Sequence, residues 1–498
     1  MDGTRSGSER VELCAGSAMS HRQSATDQGG VLWTVLVGVI CLVFVPDVTA
    51  QPGAESPETS VGQSTTVAGE LGFERLGEDY YVTIAGKFEL KLPVPKIGCG
   101  GVTSEGCTTR FRVGVQAPFR LRAIDRAPTS DSLLRSEDWD EVGDYLEVVR
   151  YVEYGRPAER LHTRIGELGS VVVGHGTIVN HYHNVVTPDH FRLGLNAHWN
   201  EPFGGASLLV NDLAGPAILG SRVYVRPWHF VDESSWMTRL AVGMSIVSDV
   251  QAPVQLQRDP NDQPIVGPSR FPEVSERRPT AIGGLDVELK VVDTKVVGLT
   301  PYTDANHHFG LGSGLHSGFL FEVAPFEKLR FSSRLEYRLL GPRYLPHYYG
   351  PLYEIDRFQF TGWGTLLPEP KLRVAADPRD RVLHGGYGEL TAQVLEIVSV
   401  TGAYADHMGP ANSWARLSAH VSAFERFQLG LFYFKRGVED FGSLFEREGA
   451  FVVGEGRFGV YGPLYLKAAY SRLWQLRDDG TYKPIDRWNL GVGASFTF

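Results

Sequence analysis

The last eleven residues of the chain alternate strictly between apolar residues and small or polar residues. The apolar positions are Trp488, Leu490, Val492, Ala494, Phe496 and Phe498, and the intervening positions are Asn489, Gly491, Gly493, Ser495 and Thr497. A repeat of two residues predicts a β-strand with one apolar face. A tilted strand of ~9 to 11 residues is long enough to cross a lipid bilayer.

The same alternation continues backwards along the chain in a series of hairpins. Residues 464–476 are predicted to pair with the last strand across a polar turn that contains Asp-Asp-Gly. Residues 414–423 and 427–433 form another clear pair of alternating segments. Tight junctions with charge between large apolar side chains separate such strands at 424–427, 326–329 and, more loosely, 395–398. Such junctions are typical of short turns at a membrane interface.

Long connections, rich in Pro and in charged or aromatic residues, alternate with the tight turns at 248–280 and 341–385. Segments of strand type number about sixteen in 163–498, and the hairpin of 80–92 with 108–122 raises the count to about eighteen. An even number of strands would place both termini at one end. Short turns at that end and long loops at the other are typical of membrane barrels.

The chain terminus supports a resemblance to a known class of proteins. A terminal aromatic residue, Phe498, preceded by Phe496, Ala494 and Val492 at alternate positions, resembles the assembly signal of Gram-negative outer-membrane β-barrels. The resemblance implies an all-β, antiparallel up-and-down barrel of about 16–18 strands, assigned to residues 71–498. It also implies an outer-membrane location, contact with outer-membrane lipids, delivery by periplasmic chaperones and insertion by the barrel assembly machinery. The alternative is the terminal strand of a soluble sandwich.

Composition narrows the possibilities further. Hydrophobic residues make up 42% of the chain and the mean hydropathy is -0.14, which is too polar for a bundle of apolar spanning helices. A barrel hides its membrane signal because residues facing lipid and residues facing the lumen alternate. The formal net charge of -10 argues against a nucleic-acid partner.

One apolar run, residues 31–45, has the length of a signal-peptide core and is followed by the small-residue pattern Val48-Thr49-Ala50. We therefore predict a signal peptide over 1–50 with cleavage after Ala50, and Met19 is a second candidate for the start. A lipoprotein anchored at Cys41 and a retained N-terminal anchor remain alternatives. Residues 51–70 are rich in Ser, Thr, Gly, Pro and Glu and are expected to form a flexible periplasmic tail.

Only Cys99 and Cys107 remain after the proposed cleavage, and they flank a Gly-rich loop. A disulfide that closes this loop, expected on the external side, is favoured over a metal site, which would need further ligands. Residues 125–160 break the alternation, so a helix, an extra strand pair and an inward-folded plug are all compatible with them.

The non-apolar faces of the predicted strands carry many arginines. The predicted basic lumen residues are Arg110, Arg112, Arg120, Arg122, Arg192, Arg222, Arg226, Arg239, Arg330, Arg334, Arg338 and Arg416. Fewer carboxylates face them, among them Asp286, Glu288, Glu322, Glu336 and Glu389. Because rings of arginine favour anions, one hypothesis is an anion-biased channel. The equal alternative is a static network of ion pairs.

Other candidate chemistry is sparse. His175, His181, His183 and His190 cluster in one segment, but their spacing matches no strong zinc motif, so a polar loop or lumen position is favoured over a metal site. We find no nucleophile elbow, phosphate-binding loop or metalloprotease motif, and we expect neither a cofactor nor an enzyme. The predicted function is therefore a porin-like channel for small solutes, with a bias toward anionic solutes as one hypothesis. A scaffold that binds through its long loops and a barrel hydrolase are the alternatives.

Overall fold

The structure is a computed structural model that describes residues 63–498, apart from 77–78, 99–106, 127–131, 140–141, 186–191, 268–270, 327, 363–366, 378, 380, 396, 410–411, 424–425 and 478. The predicted signal peptide, most of the predicted tail, Cys99 and His190 therefore lie outside the described residues.

Within the described residues the wall consists of twenty strands, and a two-residue strand, β11, lies in the turn before β12. The strands are β1 (Ser64–Leu76), β2 (Asp79–Pro95), β3 (Thr108–Ile124), β4 (Val149–Tyr154), β5 (Leu161–Gly166), β6 (Gly194–Glu201), β7 (Gly204–Val210), β8 (Ile218–Val225), β9 (Leu240–Leu256), β10 (Val274–Leu289), β11 (Val292–Asp293), β12 (Val297–His308), β13 (Gly312–Phe326), β14 (Leu329–Leu340), β15 (Leu383–Val394), β16 (Val398–His407), β17 (Trp414–Ala423), β18 (Phe427–Arg436), β19 (Ala450–Tyr461), β20 (Leu464–Leu476) and β21 (Tyr482–Thr497). Three short helices are α1 (Val142–Glu147), α2 (Tyr353–Gln359) and α3 (Lys371–Ala376).

The sheet is a closed antiparallel barrel. Successive wall strands pair with one another, and β1 pairs with β21 as well as with β2. The closing ladder runs from Thr66 opposite Thr497 to Arg75 opposite Trp488. Closure removes the unpaired strand edges that an open sheet would leave. The predicted all-β, antiparallel up-and-down fold is confirmed.

Side-chain alternation separates the two surfaces of the wall. On β21, Leu490 and Val492 are 56% and 52% exposed on the outer face. On β14, Leu335 is 58% exposed on the outer face, whereas its neighbours Arg334 and Glu336 are buried inside. The apolar face therefore points outward and the polar face inward, as the sequence pattern predicts.

The predicted count of 16–18 strands was too low. The sixteen strands expected from residue 163 onward match β5 to β21 without the short β11, but β1 and β4 were missed. Residues 64–70, which were assigned to the flexible tail, form the first half of β1. In the described part of residues 125–160 the structure has a 3-10 helix (Ser136–Asp138), the α-helix α1 and the strand β4.

The extra first strand reverses the expected position of the cysteine loop. We name the barrel end at which β1 begins and β21 ends the terminal end, and the opposite end the far end. Because β1 precedes β2, the connection from Pro95 to Thr108 lies at the terminal end rather than opposite the termini. Cys107 is disulfide-bonded, and its predicted partner, Cys99, lies outside the described residues.

The long connections also differ from their predicted form. The connection expected at 248–280 is shortened to 257–273, since β9 and β10 extend into it. The connection expected at 341–385 spans 341–382, and much of it is buried inside the barrel instead of extending outward. None of the helices in the described part of the chain has the length and apolar character needed to cross a membrane.

Candidate functional site

The lumen is the candidate site, and two connections from the far end occupy it. We name their described residues within 167–185 and 341–382 the plug. The two parts meet backbone to backbone, because the Asn180 N–H donates to the Tyr349 carbonyl at 3.0 Å and the Tyr349 N–H donates to the Ile178 carbonyl at 3.1 Å. The His347 N–H also donates to the Thr177 carbonyl at 3.0 Å. The plug is therefore one unit built from two distant segments.

Apolar packing holds the plug against the wall. Buried aliphatic side chains of 167–185 pack with the tyrosines of 341–382, including Tyr344, Tyr349 and Tyr353. Inward-facing Ile218 and Ile282 complete this cluster from the wall. A tyrosine-rich segment that includes residues 344–353 is too apolar for a solvated loop, and this was the sequence signal that could have revealed the plug.

Polar contacts fix the plug at defined points. The His175 imidazole bridges two wall strands, with Nδ1 2.8 Å from Asp304 Oδ1 and Nε2 2.7 Å from Glu288 Oε2. Gly174 and Gly176, at φ values of 60° and 80°, form the turn that presents this side chain. Thr177 donates to the other oxygen of Asp304 at 2.8 Å. We name the contact of His175 with Asp304 and Glu288 the latch.

The latch carries a charge. Burial disfavours the charged imidazolium, but the hydrogen bonds to Asp304 and Glu288 outweigh burial and raise the pKa of His175 to about 9. Both ring nitrogens then donate to carboxylates. The latch is consequently a buried cation between two anions near neutral pH.

His181 makes a different contact elsewhere in the plug. Its Nε2 donates to Glu389 at 2.8 Å, and its Nδ1 lies 2.6 Å from the Ser170 hydroxyl. Burial, reinforced by the positive charge of Arg416, lowers the pKa of His181 to about 4, so this ring is neutral at physiological pH. His181 has a φ of 51°, so the extended strand that would align it with His183 is not formed.

The plug contains two further buried polar anchors. Tyr182 donates to Glu354, and Arg192 lies 3.3 Å from the same carboxylate. The guanidinium of Arg357 lies 3.0 Å from Asp249 on β9. A buried ion pair of this kind contributes little net stability, but loss of one partner is costly because it leaves an uncompensated charge.

Most of the predicted lumen arginines form ion pairs. On β14, Arg338 donates through Nε to Glu336 at 2.7 Å, and on β17, Arg416 donates to Glu389 at 2.7 Å. Among the described residues, nine of the twelve predicted arginines have a carboxylate partner. They are Arg110, Arg112, Arg120, Arg122, Arg192, Arg222, Arg334, Arg338 and Arg416. For these nine, the geometry is that of the static network.

Glu153 is a lumen carboxylate that the sequence pattern did not identify. This buried carboxylate on β4 forms ion pairs with Arg112 at 2.7 Å, with Arg164 at 2.9 Å and with Arg110 at 3.2 Å. Because β4 was not recognised as a strand, its inward face was not considered. The arginines of β3 consequently looked unopposed in the sequence.

Arg226, Arg239 and Arg330 have no carboxylate partner among the described residues, and all three lie at the terminal end. Arg226 and Arg239 line a cavity of about 510 Å³ inside the barrel mouth, which we name the vestibule. Its other ionisable lining residues are His229, Lys290, Glu288, Asp293 and Glu322. The vestibule borders the plug, since Glu288 also belongs to the latch.

Comparison with known proteins gives fold-level likenesses only. No protein-family model and no curated protein matches the chain. Among solved structures, OccAB3 of Acinetobacter baumannii is 11% identical, with a TM-score of 0.29 over 88% of this chain and 99% of that one. The siderophore receptor PirA of Pseudomonas aeruginosa is 12% identical, with a TM-score of 0.33 over 89% and 81%. OprB of Pseudomonas putida is 11% identical, with a TM-score of 0.28 over 88% and 95%. No residue role is taken from these structures.

We find no candidate metal site in the described part of the chain. No group of three or more His, Cys, Asp or Glu side chains there is arranged to hold a metal ion. His175 and His181 instead use both ring nitrogens in hydrogen bonds with protein side chains.

Proposed function

We propose that this chain is an outer-membrane channel for small solutes, and that the plug closes it in the conformation described here. The observation that carries the proposal is a closed barrel whose lumen is filled by the chain's own long connections. Barrels of ~16 to 18 strands leave an aqueous channel, so twenty strands enclose more space than their wall side chains fill. The proposal assigns no catalytic activity to the chain.

The outer surface supports a membrane location. Phe73 and Trp488 form an outward aromatic cluster with Tyr80 near the far end, with ring centroids 5.7 to 5.8 Å from Phe73. Trp199 and Phe203 form a second cluster at the terminal end, with centroids 6.1 Å apart. Outward aromatic clusters toward both ends of the barrel, with exposed aliphatic side chains between them, suit a barrel embedded in lipid. A barrel in this location would contact outer-membrane lipids. It would also require periplasmic chaperones for delivery and the barrel assembly machinery for insertion.

The proposed channel has at most a weak anion preference. Nine of the predicted lumen arginines are paired with carboxylates, so any preference arises mainly from Arg226, Arg239 and Arg330. Replacing Arg226 and Arg239 by Gln should shift the reversal potential in a salt gradient toward that of a non-selective pore. Replacing the pair Arg222 and Asp286 by Gln and Asn should leave the potential unchanged. Cation selectivity of the unaltered chain would contradict the anion preference.

Conductance in planar bilayers tests the channel itself. The purified chain should give small or intermittent currents, whereas a variant with residues 345–380 replaced by a short Gly-Ser linker should give large, steady currents. Heat-modifiable mobility on gels provides the folding control for both proteins. If the folded deletion variant conducts no better than lipid alone, the channel proposal is wrong.

A further inference from the structure

The vestibule contains charged side chains that make no close ion pair with another described residue. Lys290 pairs with Asp293 at 2.8 Å, and Glu288 pairs with His175 in the latch. These two pairs account for three of the ionisable lining groups, Lys290, Asp293 and Glu288. Arg226, Arg239 and Glu322 remain without an ion-pair partner among the described residues.

Arg226, Arg239 and Glu322 have hydrogen-bonding groups available to a ligand. The Nη1 group of Arg226 donates to the backbone carbonyls of Glu201 and Pro202 at 3.3 and 3.2 Å, and these contacts orient the guanidinium. Its remaining donors and the exposed guanidinium of Arg239 can each bind a carboxylate in two-point fashion. Glu322 is an exposed acceptor on the same wall.

Charge and size together define the class of ligand. Two guanidinium groups and one carboxylate leave a net charge of about +1 to be matched, without counting His229. An acidic amino acid offers the complementary set, since it carries two carboxylates and one ammonium group. The vestibule volume of about 510 Å³ corresponds to roughly 17 water molecules at ~30 Å³ each, which accommodates such a solute with part of its hydration shell.

We propose that the vestibule is a binding site for acidic amino acids, in which Arg226 and Arg239 bind the two carboxylates and Glu322 binds the ammonium group. The site adjoins the latch, because Glu288 belongs to both. A solute bound there therefore occupies the terminal-end entrance to the plugged lumen. The inference rests on the proposed function only in that the bound solute would subsequently pass through the barrel.

Ligand-observed NMR titration of the purified full chain in detergent tests the site without requiring conductance. Glutamate should bind about tenfold more tightly than glutarate, which has the same two carboxylates but lacks the ammonium group. Glu322→Gln should abolish this preference, because glutamate loses the partner of its ammonium group while glutarate loses a repulsive charge. Arg226→Gln and Arg239→Gln should each weaken both ligands about tenfold.

Lys295→Gln is the matched control, because it removes one exposed positive charge from the turn between β11 and β12 without touching the vestibule lining. Its affinities should equal those of the unaltered chain, and every variant should retain heat-modifiable mobility. Equal affinity for glutamate and glutarate, absence of binding, or equal loss with Lys295→Gln would overturn the site. Conductance without glutamate binding rejects this inference alone, whereas glutamate binding without conductance in the plug-deletion variant rejects only the channel.

Discussion

His175 is the residue whose chemistry most directly couples the plug to solution conditions. Its raised pKa means that the stabilising charge is fully present below the ordinary value of 6.5 and is lost as the pH rises through about 9. The difference between these values corresponds to roughly 3 kcal/mol of plug attachment. Deprotonation leaves Asp304 and Glu288 without the cation between them.

We therefore expect the conductance of the unaltered chain to rise between pH 8 and about 10, as the plug detaches more often. His175→Gln should conduct more at pH 7 and lose most of this pH dependence. His307→Gln, which alters an exposed imidazole bonded to Ser313, is the control and should behave like the unaltered chain. Bilayer recordings across this pH range provide the measurement.

Burial lowers the pKa of Arg379, another described plug residue, to about 10. Lys371 also titrates in this range. Burial among aromatic rings lowers its pKa to about 8, despite the nearby carboxylate of Asp356. Any pH dependence left in His175→Gln is therefore assigned to Lys371 or Arg379. If His175→Gln and the unaltered chain show the same pH profile, the latch does not control the plug.

At the level of elements, strand β1 closes the sheet by joining its first part to its last strand. It lies between β2 and β21, and its Glu70 accepts from Lys87 at 2.9 Å and from Tyr465 at 2.8 Å. Deleting residues 64–76 would expose the edges of β2 and β21 and leave Lys87 without its carboxylate.

This deletion should abolish the compact, heat-modifiable form and leave aggregated or protease-sensitive chain. Deleting residues 51–62 is the matched control and should leave the heat-modifiable form intact. Gel mobility with limited proteolysis of the membrane fraction provides the measurement. A compact, protease-resistant product without residues 64–76 would contradict the closing role of β1.

The strands that the sequence predicted well are those with a long, uninterrupted apolar face. β20 was placed over residues 464–476, and β21 was recognised from Trp488 onward, because every second side chain meets the outer surface. β1 escaped detection because Gly69 interrupts its outward face and Ser and Thr dominate its first residues. β4 has only six residues, which is too short for a periodic pattern to stand out.

The lumen could be predicted less well than the wall. Alternation identifies which arginines point inward, but it carries no information about the carboxylate opposite each one. That partner is set by strand register and by the path of the plug, as Arg334 shows by reaching Asn180 at 2.7 Å and Tyr387 at 2.7 Å. An apparently positive wall therefore became a largely neutral network once these contacts were known.

At the scale of the whole molecule, closure of the proposed channel depends on how the plug is attached. The two plug segments enter from the far end, while the latch and Thr177 hold the deepest part against β10 and β12. Thr177 also accepts from Asn306 on β12 at 3.0 Å, so these two side chains lie on opposite sides of the contact between plug and wall. A plug that moves to open the channel must separate Thr177 from Asn306.

A reversible tether between these positions tests that movement in the full chain. Thr177→Cys with Asn306→Cys, joined by a short disulfide-forming crosslinker, should hold the conductance at its lowest level at pH 7 and at pH 10. Adding reductant should restore the currents of the untethered double variant. Because reductant also acts on the disulfide at Cys107, the unaltered chain treated with reductant and each single cysteine variant treated with crosslinker are the controls. Solute passage that continues unchanged in the tethered protein would show that the path bypasses the plug and runs along the opposite wall.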